Sequence, residues 1–242
     1  MLEPSTLILA SVIIFCGAVT QSLIGFGLAV IASPLFYIIE PSLVPVPVII
    51  MGFSIASLTL YREQSQLELS GLKYALIGRL PGGIIGSLLI LLAPQAVLGL
   101  AIASIVALSV LLTALKCSIP INRTNLFIAG TISGMFSNIA AIGGPPMAIL
   151  LSGKDPAQFR AALSAFFFVS AIIALIILGL SGLVHLEHLW VSLMLLPSAL
   201  LGYVVAGRLV GRINKQKTTV LTLVLCSGCA LLLAVKSIIE LC

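Results

Sequence analysis

The chain has 242 residues, 60% of them hydrophobic and 8% charged, where a soluble domain carries about 25% charged residues. With a mean hydropathy of +1.29, this composition excludes a water-soluble fold and implies a multi-pass protein of the lipid bilayer. The formal net charge of +5 comes from basic residues scattered over short loops with no basic-aromatic face, which argues against nucleic acid as a partner and reads as a topology signal.

The N-terminal run has no basic region ahead of it, so a cleaved signal peptide is not expected. Bulky Phe15 before Cys16 opposes a lipidation site. Eight apolar segments follow at about 6–38, 43–60, 74–92, 96–115, 124–152, 159–181, 189–207 and 218–239. A helix needs about 20 residues to span the hydrocarbon, and six of these segments suit one crossing each. The first and fifth are longer and interrupted. The first contains Gly25-Phe26-Gly27 and then Ser33-Pro34. The fifth contains Asn138 and then Gly143-Gly144-Pro145-Pro146. Glycine and proline runs break helices, and in lipid such a break is tolerated only where protein or a water-filled cavity satisfies the freed backbone groups.

The halves of the chain share landmarks in one order. Glu40-Pro41 matches Asp155-Pro156, Leu80-Pro81 with Gly86 matches Leu196-Pro197 with Gly202, and Gly17 matches Gly130. This predicts two repeats, 1–120 and 121–242, each a broken segment plus three helices, within one membrane domain.

Charge tests the topology. With all eight segments crossing and the 61–73 loop inside, the twelve basic residues divide six and six. With the fifth segment entering and leaving on one side, Arg62, Lys73, Arg79, Lys116, Arg123, Lys154, Arg160, Arg208, Arg212, Lys215 and Lys217 all fall inside and only Lys236 falls outside. The second arrangement is the asymmetry that the positive-inside rule expects. Extending it to the first segment through the repeat gives an all-α membrane protein. Six crossing helices and two re-entrant hairpins form two inverted repeats, with both termini outside a bacterial cytoplasmic (inner) membrane.

Inverted repeats with broken helices suit a transporter whose site lies where the breaks meet. A helix start presents unpaired N–H groups and about half a positive charge, which favours an anion. The candidate substrate contacts are Ser22, Gly25, Gly27, Ser33 and Pro34 in the first break, and Ser137, Asn138, Gly143, Gly144, Pro145 and Pro146 in the second. Glycines allow close backbone approach, while the serines and Asn138 offer neutral hydrogen bonds. Arg160 is the preferred charged contact. Arg79, inside the third segment, either snorkels to the interface, the favoured reading, or draws an anion toward the cytoplasmic mouth.

The segments GAVTQSLIGFGLAVIASPLF and GTISGMFSNIAAIGGPPMAILL resemble the paired glycine-rich motifs of the TauE/SafE family of sulfite and organosulfonate transporters. The second motif, followed by Phe159-Arg160-Ala161, is the closer match. In the first, the glycine cluster is reduced to Gly25 and Gly27, with Ala29 and Ala32 nearby. The resemblance covers essentially the whole chain and implies transport of a sulfur-containing oxyanion or a small organic acid.

No phosphate loop is present, so the chain is not expected to hydrolyse ATP. The acids Glu3, Glu40, Glu63, Glu68, Asp155, Glu187 and Glu240 all lie near segment ends, which argues against a buried-carboxylate proton relay. No cofactor is expected. His185, Glu187 and His188 read as an interfacial loop beside Trp190 rather than a metal site, and Cys226 and Cys229 as packing residues rather than a redox pair. Cys117 and Cys242 suggest no motif. Within the expected partners, a small anionic substrate and the bilayer, the coupling ion and a homo-oligomer stay open. An intramembrane enzyme lacks a nucleophile-base or metal set, and a cation channel lacks an acidic ring or carbonyl filter. The alternative to a carrier is a non-transporting membrane subunit or assembly factor.

Overall fold

The structure is a computed structural model that describes residues 3–67, 72–114, 119–209 and 215–241. Glu68, Lys116, Cys117, Arg212 and Cys242 lie outside them. The described residues form ten α-helices and no strand: α1 (Pro4–Ile24), α2 (Leu28–Ile39), α3 (Val46–Glu63), α4 (Leu72–Leu92), α5 (Gln95–Ala114), α6 (Arg123–Ala140), α7 (Gly144–Leu151), α8 (Pro156–Leu180), α9 (Leu186–Leu209) and α10 (Lys215–Leu241). The protein is a multi-pass membrane protein. Seven of its described helical stretches are long and apolar enough to cross a bilayer. Six crossings are expected from the sequence. The additional stretch is α1, whose 21 residues give the first limb of the first interrupted segment the length of a full span.

Both interrupted segments reverse direction. Gly17 lies beside Leu28, and Thr20 beside Gly27. On a continuous helix, residues 17 and 28 would stand about 16 Å apart, so α2 folds back on α1. The reversal uses two glycines, Gly25 at φ 103° and Gly27 at φ 129°, conformations that side chains disfavour. In the second segment Gly143 returns to Ser133, whose Oγ donates to the Gly143 carbonyl at 2.7 Å. Here the turn is made by Ala141 in the left-handed region, φ 58°, whose N–H closes α6 on the Ser137 carbonyl.

One of the two proline expectations is therefore corrected, and the other is located. Ser33-Pro34 does not break its helix: Pro34 lies buried within α2. Pro145 and Pro146 begin α7 rather than end α6, because a first-turn proline has no intrahelical N–H bond to lose.

Small residues set the helix packing. Gly78, Gly82 and Gly86 of α4 lie against Phe127, Thr131 and Met135 of α6, and Gly130 and Gly134 answer with Ala75 and Arg79. Both series rise together, so α4 and α6 run parallel at backbone contact, the small-residue packing common in membranes. In the other half, Gly202 of α9 meets Phe15 and Ala18 of α1. Helices α3 and α8 run antiparallel: Phe53 stacks on Phe168 at 5.0 Å between centroids, and Glu63 reaches Arg160. Lipid-facing positions are apolar, such as Leu88 and Leu92 on α4 or Leu231 and Ile239 on α10. Arg79, Asn138 and serines 133, 137 and 170 are buried inside, which is where membrane bundles hold polar groups.

Candidate substrate-binding site

The starts of α2 and α7 meet at one cavity of about 50 Å³. That is several times what one water needs and far below a drug-sized pocket. Gly27, Leu28, Ala29 and Val30 bring the start of α2 to it. Ala141, Ile142, Gly143 and Gly144 bring the second turn and the start of α7. Phe26, Phe53, Phe167, Val48 and Ile49 make its apolar walls, and Gln21, Ser137, Ser170 and Arg79 its polar ones.

Arg79 is 2% exposed and, among the described residues, is the only charged one lining this cavity. Its Nε donates to the Ser170 carbonyl at 3.0 Å, Nη1 to Ser133 Oγ at 3.2 Å and carbonyl at 3.4 Å, and Nη2 to Ser137 Oγ at 2.7 Å. The guanidinium also faces the Phe166 ring at 5.7 Å. These partners are neutral, and among the described residues no carboxylate forms an ion pair with it. A buried charge without a counter-charge costs several kcal/mol. An anion in the cavity would offset that cost, helped by the dipoles of two helix starts.

Two hydroxyls add to the site. Ser137 Oγ accepts from Arg79, and no described acceptor takes its proton. Ser170 Oγ is buried with no partner among the described residues. Other helical serines donate to the carbonyl four residues earlier, as Ser22 does to Ala18, Ser109 to Ile105 and Ser192 to His188.

Of the residues expected to contact substrate, Gly27, Ser137, Gly143 and Gly144 line this cavity. Pro145 lines a smaller apolar cavity of about 20 Å³ that also touches Phe26 and Gly27 and is shared with Ser109, Thr113 and Cys226. The rest hold the scaffold. Ser22 bonds within α1. Ser33 Oγ donates to the Ala140 carbonyl and so ties α2 to the end of α6. Asn138 Nδ2 donates to Gly83 at 3.1 Å and to Ser87 at 2.9 Å, joining α6 to α4. Pro34 and Pro146 are buried within their helices.

Arg160 pairs with Glu63, Nη2 to Oε1 at 2.8 Å and Nε to Oε1 at 3.0 Å, and packs against Gly25. It does not line the cavity, because Glu63 at the end of α3 holds it. Arg79 does not snorkel: α6 covers it through the glycine contacts. Its charge therefore leaves the topology count, and the asymmetry rests on the remaining basic residues.

A family model, Sulfite exporter TauE/SafE, matches residues 9–233. Comparison with curated proteins and with solved structures returns no match.

Proposed function

The chain belongs to the sulfite exporter TauE/SafE family, a family of membrane transporters, and from that premise we propose that it is a secondary carrier of a small anion. Sulfite, a compact organosulfonate or a related small organic anion is the favoured cargo. The observation that carries this reading is Arg79: a buried guanidinium with neutral partners only, in a cavity where two helix starts converge.

The carrier works by alternating access between two inverted halves. Packing supports this: α4 lies on α6 as α9 lies on α1, α3 pairs with α8, and α5 pairs with α10. Each contact thus repeats when the first five helices are exchanged for the second five. Gln21 with Ser137, Gly27 with Gly143 and Pro81 with Pro197 stand the same number of positions apart. The first two pairs line the cavity, as expected of a site on the seam between repeats. Rocking one half against the other would open the cavity first to one face and then to the other. In a cytoplasmic membrane, the inside-negative potential favours anion export by about 2.3 kcal/mol per charge per 100 mV.

The test is flux in proteoliposomes with sulfite, sulfonates and small carboxylates, each with and without proton, sodium and electrical gradients. Saturable flux of an anion is expected, and it should be lost in Gly144→Leu. A Cβ there already stands 3.0 Å from Phe26 Cβ and 3.3 Å from Phe167 Cζ, so a leucine fills the cavity. Absence of flux for every anion from correctly inserted protein would overturn the carrier reading.

A further inference from the structure

We infer that this cavity selects compact monoanions over dianions, and that the Ser170 hydroxyl is a donor that completes their coordination; the inference rests on the anion-site reading above. Among the described residues, the cavity wall holds one full positive charge, Arg79, and no negative one. All three guanidinium nitrogens have protein acceptors, so Arg79 is oriented, and of its five N–H groups at least one is left over. Ser137 holds a proton with no described acceptor, and Ser170 Oγ is buried without a partner among the described residues.

The Ser170 hydroxyl is the informative one. Its own carbonyl accepts from Arg79 Nε, which fixes this stretch of α8 beside the guanidinium. Its side chain does not back-bond within the helix as comparable serines do. A buried polar atom without a partner needs an explanation, and a ligand oxygen in the cavity supplies one. Arg79, Ser137 and Ser170 would then present three donors to an oxygen-rich anion head, while Phe53 and Phe167 offer an apolar surface on the same cavity.

Charge balance sets the valence. One monoanion neutralises Arg79. A dianion of equal size brings a second charge that no residue on the wall meets, in a low-dielectric interior where an unmatched charge is expensive. The half-charges at the helix starts offset only part of it.

Methanesulfonate and sulfate are close in size and differ in charge, so they isolate the effect. The experiment uses the full-length protein in detergent, with binding read by calorimetry and by thermal shift. Methanesulfonate should bind at least about tenfold more tightly than sulfate, since the second charge is uncompensated. Sulfite takes up a proton near neutral pH. Above that point its apparent affinity should fall by about tenfold per pH unit, as expected when only the protonated anion binds, while methanesulfonate affinity stays level. Ser170→Ala should weaken methanesulfonate by roughly 5- to 30-fold, the scale of a hydrogen bond to a charged group. Ser109→Ala, which removes a back-bonded hydroxyl, should leave it unchanged.

Sulfate binding as tightly as methanesulfonate, or sulfite affinity without a pH slope, overturns the valence inference and leaves the anion site standing. Unchanged affinity in Ser170→Ala overturns the assignment of that donor. If no anion binds the wild-type protein, the anion-site reading fails and the inference fails with it.

Discussion

Arg79 carries a burial cost that an anion in the cavity would offset. A buried charge without a counter-charge costs several kcal/mol, and removing it offsets the loss of its neutral hydrogen bonds. We expect Arg79→Met to keep a melting temperature at or above that of the wild type without anion. Stabilisation by added anion should disappear, and transport should fall by about 100-fold or more, as expected when the only charge-assisted contact is removed. A large loss of melting temperature in thermal unfolding would instead make Arg79 a structural residue. The Glu63–Arg160 pair is different in kind: its side chains are 13% and 9% exposed, and it joins the end of α3 to the start of α8. Glu63→Gln strands Arg160, while Arg160→Gln leaves Glu63 the longer contact to Arg62 at 3.4 Å, so each should destabilise, the first more. A double-mutant cycle by thermal unfolding should show coupling of about 1–3 kcal/mol; additive effects would reduce the pair to a surface contact. The sequence offered an anion-drawing Arg79 only as its second reading and did not pair Arg160 with Glu63. Arg79 stands about two turns into an apolar segment, a position that suits a snorkelling side chain as well as a buried one. Only the backbone contacts of Gly130 and Gly134 with Ala75 and Arg79, which bring α6 over it, decide between them. Ser170 looks in sequence like any helical serine, and its free hydroxyl is visible only in three dimensions.

At the scale of the helices, glycine has two separate uses, and each predicts a different failure. In α4 and α6 it permits contact between backbones: a Cβ at Gly82 would overlap the Thr131 carbonyl, and one at Gly130 the Ala75 carbonyl. Gly82→Leu should therefore abolish folding, since overpacking against backbone exceeds the usual 1–3 kcal/mol cost of overfilling a core. Monodisperse, heat-stable Gly82→Leu on size exclusion would show that α4 and α6 do not touch in this way. At Gly27 the demand is conformational, with φ at 129° and Thr20 Cγ2 2.8 Å from a Cβ position. Gly27→Ala should cost about 1–3 kcal/mol of strain and distort the start of α2, lowering transport more than expression. The two interrupted segments were legible because glycine and proline clusters interrupt long apolar runs. The location of each turn was less so. Pro34, Pro145 and Pro146 signal breaks in sequence, yet Pro34 is carried within a helix and the other two start one. The second reversal instead falls on Ala141, whose residue type gives no sign of a left-handed backbone.

For the whole molecule, helix pairing and basic charge divide the bundle into the same two ends. Because α3 and α8 are antiparallel, the start of α3 lies with the end of α8: Val46 and Ile49 share a cluster with Ala174 and Leu178. Glu40 and Leu186 therefore belong to one end of the bundle, with Lys236, whose Nζ donates to the Ile38 carbonyl. Arg62, Arg160 and Lys154 belong to the other end, tied by Glu63 to both arginines. That segregation is what the positive-inside rule needs, although the sequence reached it only by treating the fifth segment as a hairpin. The common offset between repeats was legible in the Pro81 and Pro197 landmarks, but not which helices it pairs, since contact between α4 and α6 or α1 and α9 depends on glycine faces meeting across the fold. Cysteine labelling converts the two ends into sides. In a cysteine-free background, Glu40→Cys and Leu186→Cys should react with an impermeant thiol reagent added to intact cells. Lys154→Cys should react only after the membrane is opened. Labelling of 154 from outside together with protection of 40 and 186 would reverse the orientation, and the potential would then oppose the proposed anion path from the Arg62 end to the Lys236 end. Labelling of all three from one side would break the hairpin topology itself, because the fold sets 154 at the opposite end of α8 from 186, and a single membrane face could not receive both ends of a crossing helix.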